Sequence, residues 1–376
     1  MAQGLDWMAR KAGLEAGVGF HFSFTWCSPI GFFVLPIGVN HCPVSSTVIQ
    51  TPPVIPAKRE ITTKPRFSDK VFRGVVTGGG LSSLIILGLI LIFLLWNGYT
   101  ILKSQGAHFL TSSAWQAATT DSGAIDVKNT HFGLAAMLVG TMIVALIAIV
   151  VGVPISVGAA IYLTFYAPGS IKKIMVTAID LMAAFPSVLF GLWGFFVLES
   201  SGEYWAKLLT KYFSWIPFFK LPAPYVSRSP FIAGLVLAVM IIPIVTSVSR
   251  EIFSQTPLDR IQAAYALGRT RFAMLRAVAF PYARSGIVGG VMLGLGRAMG
   301  ETVAVYTVLN IVYQVNWHIL FSAGGNVASM ILLKFGEASP YEVKALMAAG
   351  LVLFILTLIV NSLANVIVSR TGKSGR

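Results

Sequence analysis

Apolar residues are grouped along this chain into long runs, separated by shorter polar and charged segments. A helix needs about 20 consecutive apolar residues to cross the hydrocarbon core of a bilayer. Six stretches are candidates, and charged residues are almost absent from them. Their apolar centres are residues 81–96, 132–166, 174–198, 230–249, 285–315 and 345–369. The pattern predicts an all-α, polytopic membrane protein with six transmembrane helices.

Composition supports this class and excludes a soluble protein. Of the 376 residues, 56% are hydrophobic and 11% are charged. Soluble domains carry about 25% charged residues, so this chain lacks the polar side chains that a water-exposed surface needs. We therefore expect the lipid bilayer to be its solvent.

Lys and Arg residues predict the orientation. Six spans place both termini on one side of the membrane. Segments on that side carry 19 of the 28 Lys and Arg residues, segments on the other side carry eight, and Arg297 lies inside the fifth span. Cytoplasmic segments are enriched in Lys and Arg, so both termini are predicted to be cytoplasmic. This asymmetry explains the net charge of +14 without a nucleic-acid partner.

The N-terminal segment is predicted to be separate from the membrane domain. Residues 1–65 are interpreted as a weakly ordered cytoplasmic extension, and residues 66–376 as the transmembrane domain. The apolar stretch Val18–Val39 also suggests a seventh span or a signal peptide. A seventh span would place the basic run Lys58–Arg73 outside, against the charge rule, and no convincing cleavage site follows the stretch. A start codon assigned too early is a further hypothesis.

The longest charged loop lies between the fourth and fifth spans and predicts a helical hairpin. Thr256 before Pro257 is typical of a helix start, and Gly268 of a helix end. A second short helix is expected to begin near Phe272 and to end near Pro281. One apolar face of the first helix is predicted to contain Ile261, Ala264, Tyr265 and Leu267.

Two interpretations of this hairpin are open on physical grounds. An amphipathic helix can lie on the membrane surface without any partner. However, Ala263, Ala264 and Ala266 would let a second protein approach the backbone closely, as small residues do at helix interfaces.

The spacing in the hairpin resembles the EAA loop of bacterial ABC importer permeases. That pattern is Glu-Ala-Ala, three residues, Gly, nine residues, then Ile-x-Leu-Pro. The corresponding residues here are Gln262, Ala263, Ala264, Gly268, and Val278 to Pro281. Gln262 departs from Glu, and two other positions carry apolar substitutes. The resemblance implies the type I ABC importer permease fold and a hairpin that docks into a cytoplasmic ATPase.

Three further segments resemble the PstC-type permeases of phosphate ABC importers. Residues 285–305 are similar to the fifth span of that family, residues 183–194 to the third span, and residues 109–115 to the first external loop. The resemblance covers roughly residues 70–370. It implies a permease subunit that moves inorganic phosphate across a bacterial plasma membrane into the cytoplasm.

Arg297 and Glu301 are the candidate substrate-path residues. On a continuous helix, residues four apart share one face, and charges at bilayer depth are costly unless they are paired or face a protein or aqueous interior. The resemblance implies that Arg297 offers its guanidinium fork to phosphate and that Glu301 holds the fork or competes for it. The alternative is a buried ion pair that fixes helix packing only.

Small residues and prolines predict close packing and bends. Gly290 and Gly294, together with Gly286, would let a neighbouring helix approach the fifth span. Pro186 interrupts the third span and is expected to kink it, with a role in gating as the alternative. Gly191 is expected to allow tight packing nearby.

The chain lacks the sequence features of an enzyme or a nucleotide-binding protein. Gly372-Lys373-Ser374 imitates the end of a phosphate-binding loop, but Ile367 stands where the loop's first glycine belongs. The histidines and the two cysteines form no metal-ligand pattern. The chain is therefore predicted to bind no cofactor, and ATP and Mg²⁺ would be used by a partner ATPase.

The resemblance also implies the assembly. A heterodimer with a PstA-type sister permease would bind two copies of a PstB-type ATPase, and a PstS-type external protein would deliver phosphate. The external protein would meet the outer loops around residues 98–131, 200–229 and 316–342. Two alternatives are a permease for molybdate or sulfate and an ion-coupled carrier or channel without an ATPase.

Overall fold

The computed structural model describes residues 66–116, 118, 126, 130–222 and 225–373, with the backbone alone for residues 367–373. The predictions for residues 1–65 lie outside the described residues and stay predictions. The part described here belongs to the compact unit Arg66–Arg376.

The described residues are mostly helical, as the pattern of apolar runs predicted. Strands β1 (Trp115–Gln116) and β2 (His131–Phe132) form a small antiparallel pairing, and residues 217–219 form one 3₁₀ turn. Single wide π-helical turns cover residues 162–166, 194–198 and 275–279. The helices are α1 (Phe67–Gln105), α2 (His108–Thr111), α3 (Ala135–Ile161), α4 (Gly169–Ala184), α5 (Ser187–Trp193), α6 (Glu199–Phe213), α7 (Pro230–Ser254), α8 (Leu258–Ala266), α9 (Arg271–Met274), α10 (Phe280–Gly300), α11 (Val303–Val308), α12 (Val327–Phe335) and α13 (Pro340–Lys373).

Six membrane crossings fit these helices. Among the described residues, five helical segments are long and apolar enough to span a bilayer, and a bent pair makes a sixth if it counts as one span. This agrees with the predicted six spans. The segments are Phe67–Gln105, Ala135–Tyr166, the pair Gly169–Ala184 and Ser187–Phe213, Pro230–Ser254, Arg271–Gly300 and Pro340–Val366.

The third span is broken rather than continuous. Its two parts meet at an angle of 98°, where Phe185 and Pro186 both adopt extended backbone conformations. A residue before proline is driven out of the helical region, and Pro186 itself cannot donate a backbone hydrogen bond. The sequence predicted one span over residues 174–198 with a kink at Pro186, and the bend lies at this proline.

The fifth span also differs from the prediction at both ends. The helix begins at Arg271 and continues to Gly300 through the wide turn at residues 275–279, so the second helix of the hairpin does not end near Pro281. A wide turn can accommodate a missing donor that would break a regular helix. At the other end, Glu301 has an extended backbone and the helix stops, although the apolar run continues to residue 315.

Helix α7 forms the centre of the bundle. It packs against α3, α10 and α4, and about half of its residues are buried. By contrast, α1 has only Gly98 and Ile101 buried and contacts mainly α13. A helix so exposed in the isolated subunit is suited to contact lipid or another membrane protein.

Glycine permits the closest approaches. A Cβ at Gly140 of α3 would overlap the carbonyl oxygen of Gly325, and a Cβ at Gly325 would lie 2.6 Å from the carbonyl oxygen of Ala136. The contacting atoms on both sides are backbone atoms, so no flexible side chain can move aside for an added methyl group. Gly158, on the same helix α3, has open space around its Cα.

We therefore expect Gly140→Ala to lower the thermal unfolding midpoint of the purified protein in detergent. Overpacking of this kind costs about 1–3 kcal/mol. Gly158→Ala is the matched control, and it should leave the midpoint unchanged or raise it slightly because alanine favours helix. Equal midpoints for the two variants would contradict the close approach at Gly140.

Candidate functional site

The hairpin begins one residue later than its sequence suggests. The N-cap of α8 is Pro257, and the side chain of Thr256 makes no capping hydrogen bond. Thr256 is 4% exposed, and its hydroxyl has no hydrogen-bond partner among the described residues. The predicted capping role of Thr256 is therefore wrong. Burial of the side chain against the bundle has taken precedence over local capping chemistry.

Gly268 ends α8 in the left-handed conformation, with a φ of 72°. The backbone N–H of Gly268 donates to the Tyr265 carbonyl (2.9 Å), and that of Arg269 donates to the Ala264 carbonyl (3.2 Å). These two bonds form a Schellman motif, which satisfies the last carbonyls of a helix. Glycine is favoured here because other residues are strained at positive φ.

The predicted apolar face of α8 is divided between two surfaces. Ala264 is buried against the bundle, and Ile261 packs beside it. Tyr265 and Leu267, which were predicted on the same face, are exposed to 42% and 80%. Gln262 and Ala263 are exposed as well. Only the positions of α8 that face the bundle are buried, and the residues on its other side stay exposed.

The outer surface of the hairpin carries large apolar side chains that are mostly exposed. Leu258 is 69% exposed, Leu267 80% and Phe272 70%. We call these three residues, with Gln262 and Ala263, the hairpin apex. Exposed apolar patches of this kind mark protein or membrane interaction sites.

A separate apolar cluster anchors the hairpin to the bundle. Ala264 of α8 joins Met274 and Leu275 of the following turn, together with Ala160 of α3 and Phe253 of α7. Ala279, just before Pro281, is completely buried in the same cluster. The hairpin is therefore packed against the ends of α3, α7 and α10.

Arg297 lies in the last full turn of α10 and is half-buried. The glycines Gly286, Gly290 and Gly294 face α7, where they meet Ile252, Val248 and Val245. Arg297 lies beside an exposed stripe along the surface of α10. Leu293, four residues earlier, is 61% exposed, and Gly296 and Gly300 have open space around them. Among the described residues, the Arg297 guanidinium has no ion pair and no hydrogen bond.

Glu301 does not share a helical face with Arg297, because α10 ends at Gly300. The Glu301 carboxylate instead accepts a hydrogen bond from the Ala304 backbone N–H (3.5 Å) at the start of α11, and Glu301 is 9% exposed. A carboxylate at a helix N-terminus satisfies a free donor and is favoured by the helix dipole. The single ion pair within the described residues joins Lys207 and Glu203, so the predicted pairing of Arg297 with Glu301 is not formed.

The break in the third span packs directly on α11. A Cβ at Gly191 of α5 would lie 2.9 Å from the Cα of Ala304, and it would also overlap the Thr307 hydroxyl. Gly191 follows Pro186 by five residues, so the bend brings the small residue against the helix that Glu301 caps. The segments containing Pro186, Gly191 and Glu301 therefore meet in one region.

The end of the bundle remote from the hairpin contains an arginine that sequence reasoning missed. Arg228 is the only non-glycine residue with positive φ (54°) in the described part of the chain, and its Nε is buried without a partner there. Its carbonyl accepts from the Asn310 N–H, and its Nη2 lies 3.5 Å from the Leu309 carbonyl oxygen. Arg228 thus joins the start of α7 to the loop after α11. No residue pattern signals such a backbone conformation.

The same end contains a partly buried polar contact between distant segments. Trp115 Nε1 donates to the Glu342 carboxylate at 2.8 Å. Burial, and secondarily the negative charge of Glu342, raise the pKa of Tyr313 to about 12. Tyr313 therefore stays neutral under ordinary conditions, as a phenol beside a carboxylate is expected to do.

Comparisons with known proteins point to membrane transport. Residues 152–373 match the family model described as binding-protein-dependent transport system inner membrane component. The chain is 38% identical over 324 residues to phosphate transport system permease protein PstC 2 of Mycobacterium tuberculosis, with 85% of this chain and 98% of the relative covered. It is 40% identical over 280 residues to phosphate transport system permease protein PstC of Mycobacterium leprae, with 73% and 85% covered.

A solved structure supports the fold alone. A chain of the bacterial alginate ABC transporter, crystallised with an alginate pentasaccharide-bound periplasmic protein, aligns with a TM-score of 0.53 at 14% identity. The alignment covers 82% of this chain and 99% of that chain. The predicted importer permease fold is confirmed by this likeness and by the family model.

The two threonines of the hairpin allow a test of its geometry. Thr270 Oγ1 accepts from the Ala273 N–H (3.3 Å) and caps α9, whereas the Thr256 hydroxyl caps nothing. We expect Thr270→Val to destabilise the protein by about 1 kcal/mol. Thr256→Val should be neutral or stabilising, because it removes a buried hydroxyl without a partner. Thermal unfolding midpoints compare the two, and a lower midpoint for Thr256→Val would contradict this arrangement.

Proposed function

Since the chain belongs to the family of binding-protein-dependent transport system inner membrane components, we propose that it is the membrane-spanning subunit of an ATP-driven importer for inorganic phosphate. Relatives named phosphate transport system permease match most of its length.

A single observation carries the assignment of the substrate path. Arg297 is a half-buried arginine at bilayer depth, and no group among the described residues neutralises it. A charge in this position is favoured only if it faces a protein or aqueous interior or meets a counter-ion. Phosphate supplies the negative charge and matches the donor fork of a guanidinium. Arg297 is therefore proposed to bind phosphate during its passage.

Glu301 is proposed to serve the same path by setting the backbone next to Arg297. Its carboxylate accepts from the Ala304 N–H beyond the end of α10, so it fixes the point at which the helix stops. Because α10 stops at Gly300, Arg297 lies in the last turn of this helix, three residues before its end. The negative charge of Glu301 also limits how long an anion stays bound nearby.

Other substrates and mechanisms fit the molecule less well. A permease for molybdate or sulfate would also use an arginine, but the relatives reported above are named for phosphate. An ion-coupled carrier or channel does not account for membership in a binding-protein-dependent transport family.

The hairpin apex is proposed to dock the ATPase. Leu258, Leu267 and Phe272 are exposed and apolar, and the adjoining Gln262 and Ala263 leave the backbone of α8 accessible. Small residues allow close approach between helices, while the anchoring cluster transmits displacement to α3, α7 and α10. The ATPase would bind and hydrolyse ATP with Mg²⁺, so this chain is a non-catalytic subunit.

The remaining partners follow from an importer of this type. A PstA-type sister permease is proposed to cover exposed apolar helices of the bundle, and two PstB-type ATPase copies to bind the two hairpins. A PstS-type external protein would deliver phosphate at the Arg228 end. Both termini and the hairpin would then lie on the cytoplasmic side of the plasma membrane, as the Lys and Arg distribution predicts.

Uptake of radiolabelled phosphate tests the roles of Arg297 and Glu301. We expect Arg297→Ala to reduce uptake about 10- to 100-fold, because charge-assisted hydrogen bonds contribute about 1.5–3 kcal/mol. Glu301→Gln should keep most uptake, since an amide oxygen can still accept from the Ala304 N–H. Glu301→Ala loses this acceptor, and we expect it to lower both uptake and thermal stability.

Membrane levels and complex assembly are measured for every variant as the control. Normal uptake by an assembled Arg297→Ala protein would remove Arg297 from the substrate path. Complete loss of uptake in an assembled Glu301→Gln protein would show that the charge, rather than the backbone contact, is required.

Co-purification tests the docking surface. We expect Leu267→Glu to abolish recovery of the ATPase with tagged permease, because a charge would be buried in an apolar contact. Phe218→Glu is the matched control, an exposed aromatic (49%) in the predicted external segment, and it should retain the ATPase. Equal recovery with both variants would exclude the hairpin apex as the docking site.

A further inference from the structure

A groove lies where the hairpin joins the membrane helices, away from Arg297. Its volume is about 600 Å³, within the range of ligand-binding pockets. One wall comes from the end of the second span, with Ile161 and Tyr166. The other comes from the continuous helix that starts at Arg271, with Phe272, Leu275 and Phe280.

The walls of the groove are apolar, and its only charged lining residues are arginines. Among the described residues that line it, Arg276 and Arg284 carry the charge and none is acidic. Neither arginine forms an ion pair or a side-chain hydrogen bond among the described residues. Two uncompensated positive charges beside an apolar groove are complementary to a ligand with an anionic group and a hydrocarbon part.

The position of the groove matches the boundary between hydrocarbon and water. Arg284 directly precedes the predicted apolar centre of the fifth span, which begins at residue 285. Arg276 lies eight residues earlier, about 12 Å along a regular helix. Tyr166 belongs to a residue type enriched at membrane interfaces. The two arginines are thus at headgroup depth, with apolar side chains beside them.

We propose that this groove binds one anionic phospholipid, with an acyl chain on the apolar walls and its phosphate against Arg276 and Arg284. Basic pockets between membrane helices at this depth bind acidic lipid headgroups. The apolar walls distinguish the ligand from a free inorganic anion, and the two arginines distinguish it from a zwitterionic lipid. The location of this lipid in the cytoplasmic leaflet rests on the orientation given under the proposed function. The lipid site itself depends only on the groove and its two arginines.

The site also has a mechanical consequence. The groove is lined by the wide turn that accommodates Pro281 and by the end of the second span, and both border the cluster that anchors α8. A bound lipid fills the space between these elements. Its presence should therefore support the hairpin in the arrangement that the ATPase meets.

Native mass spectrometry of the purified permease complex tests the proposal. The complex is reconstituted in nanodiscs of phosphatidylcholine with about one quarter phosphatidylglycerol, a composition chosen as the probe, and the retained lipids are counted on release. We expect one phosphatidylglycerol to be retained preferentially. The double variant Arg276→Gln/Arg284→Gln should lower this preference about 30-fold, because each basic residue near an anionic lipid contributes a factor of about five.

Lys172→Gln/Lys173→Gln is the matched control, because both lysines are exposed near the start of α4 on the same predicted side of the membrane. It should retain the lipid, as should Arg276→Lys/Arg284→Lys. Unchanged retention in the arginine-to-glutamine variant would overturn the proposal. So would release of the lipid by millimolar inorganic phosphate, which would assign the arginines to a free anion. Retention is measured without transport, so its outcome is independent of the phosphate uptake assays.

Discussion

Close packing of α3 and α10 on α7 is the interaction on which the rest of the molecule depends. In a bilayer, apolar side chains gain little by leaving lipid, so helices associate through van der Waals contact and shape. Gly290 and Gly294 bring α10 against α7, where Val248 and Val245 fill the space that a side chain would occupy. This contact fixes the position of α10, which carries Arg297 near one end and continues into the hairpin at the other. The proposed substrate path and the proposed docking surface therefore both depend on this helix pair.

Helix breaks inside the membrane require internal compensation, because water is not available there for free backbone groups. The break after Gly300 shows how this is met. Glu301 accepts from the Ala304 N–H, and the Ser329 hydroxyl donates to the Thr302 carbonyl at 2.8 Å. The third span breaks at Pro186, five residues before Gly191 packs on Ala304. The two interruptions are thus joined through α11, and Arg297 lies three residues before the one at Gly300.

Hydropathy predicted the number of spans because the bilayer requires a long apolar run for each crossing. It could not predict the end of α10, since residues 302–315 carry no charge while their backbone is not helical throughout. Spacing predicted the end of α8 at Gly268, because a left-handed turn favours glycine. It failed for Thr256 and for Tyr265, whose surroundings depend on how the hairpin lies against the bundle. The left-handed backbone of Arg228 leaves no pattern in the sequence at all.

Continuity of the helix from Arg271 to Gly300 provides a route by which the proposed ATPase partner would act on the proposed substrate path. These 30 residues form a rod of about 45 Å, which joins the hairpin to the turn that carries Arg297. A rod transmits displacement without a chain of intermediate contacts, so a shift at the hairpin apex would reach Arg297 as a tilt or translation to the extent that the rod stays straight. The wide turn at residues 275–279 is the one irregular point in this rod, since a wide turn relaxes the regular hydrogen bonding. The proposed lipid groove borders that turn, so the lipid would act where the rod bends most easily. Access to the path would then alternate through rigid-body motion about a point held by packing on α7, as in transporters whose bundles rock around a fixed site.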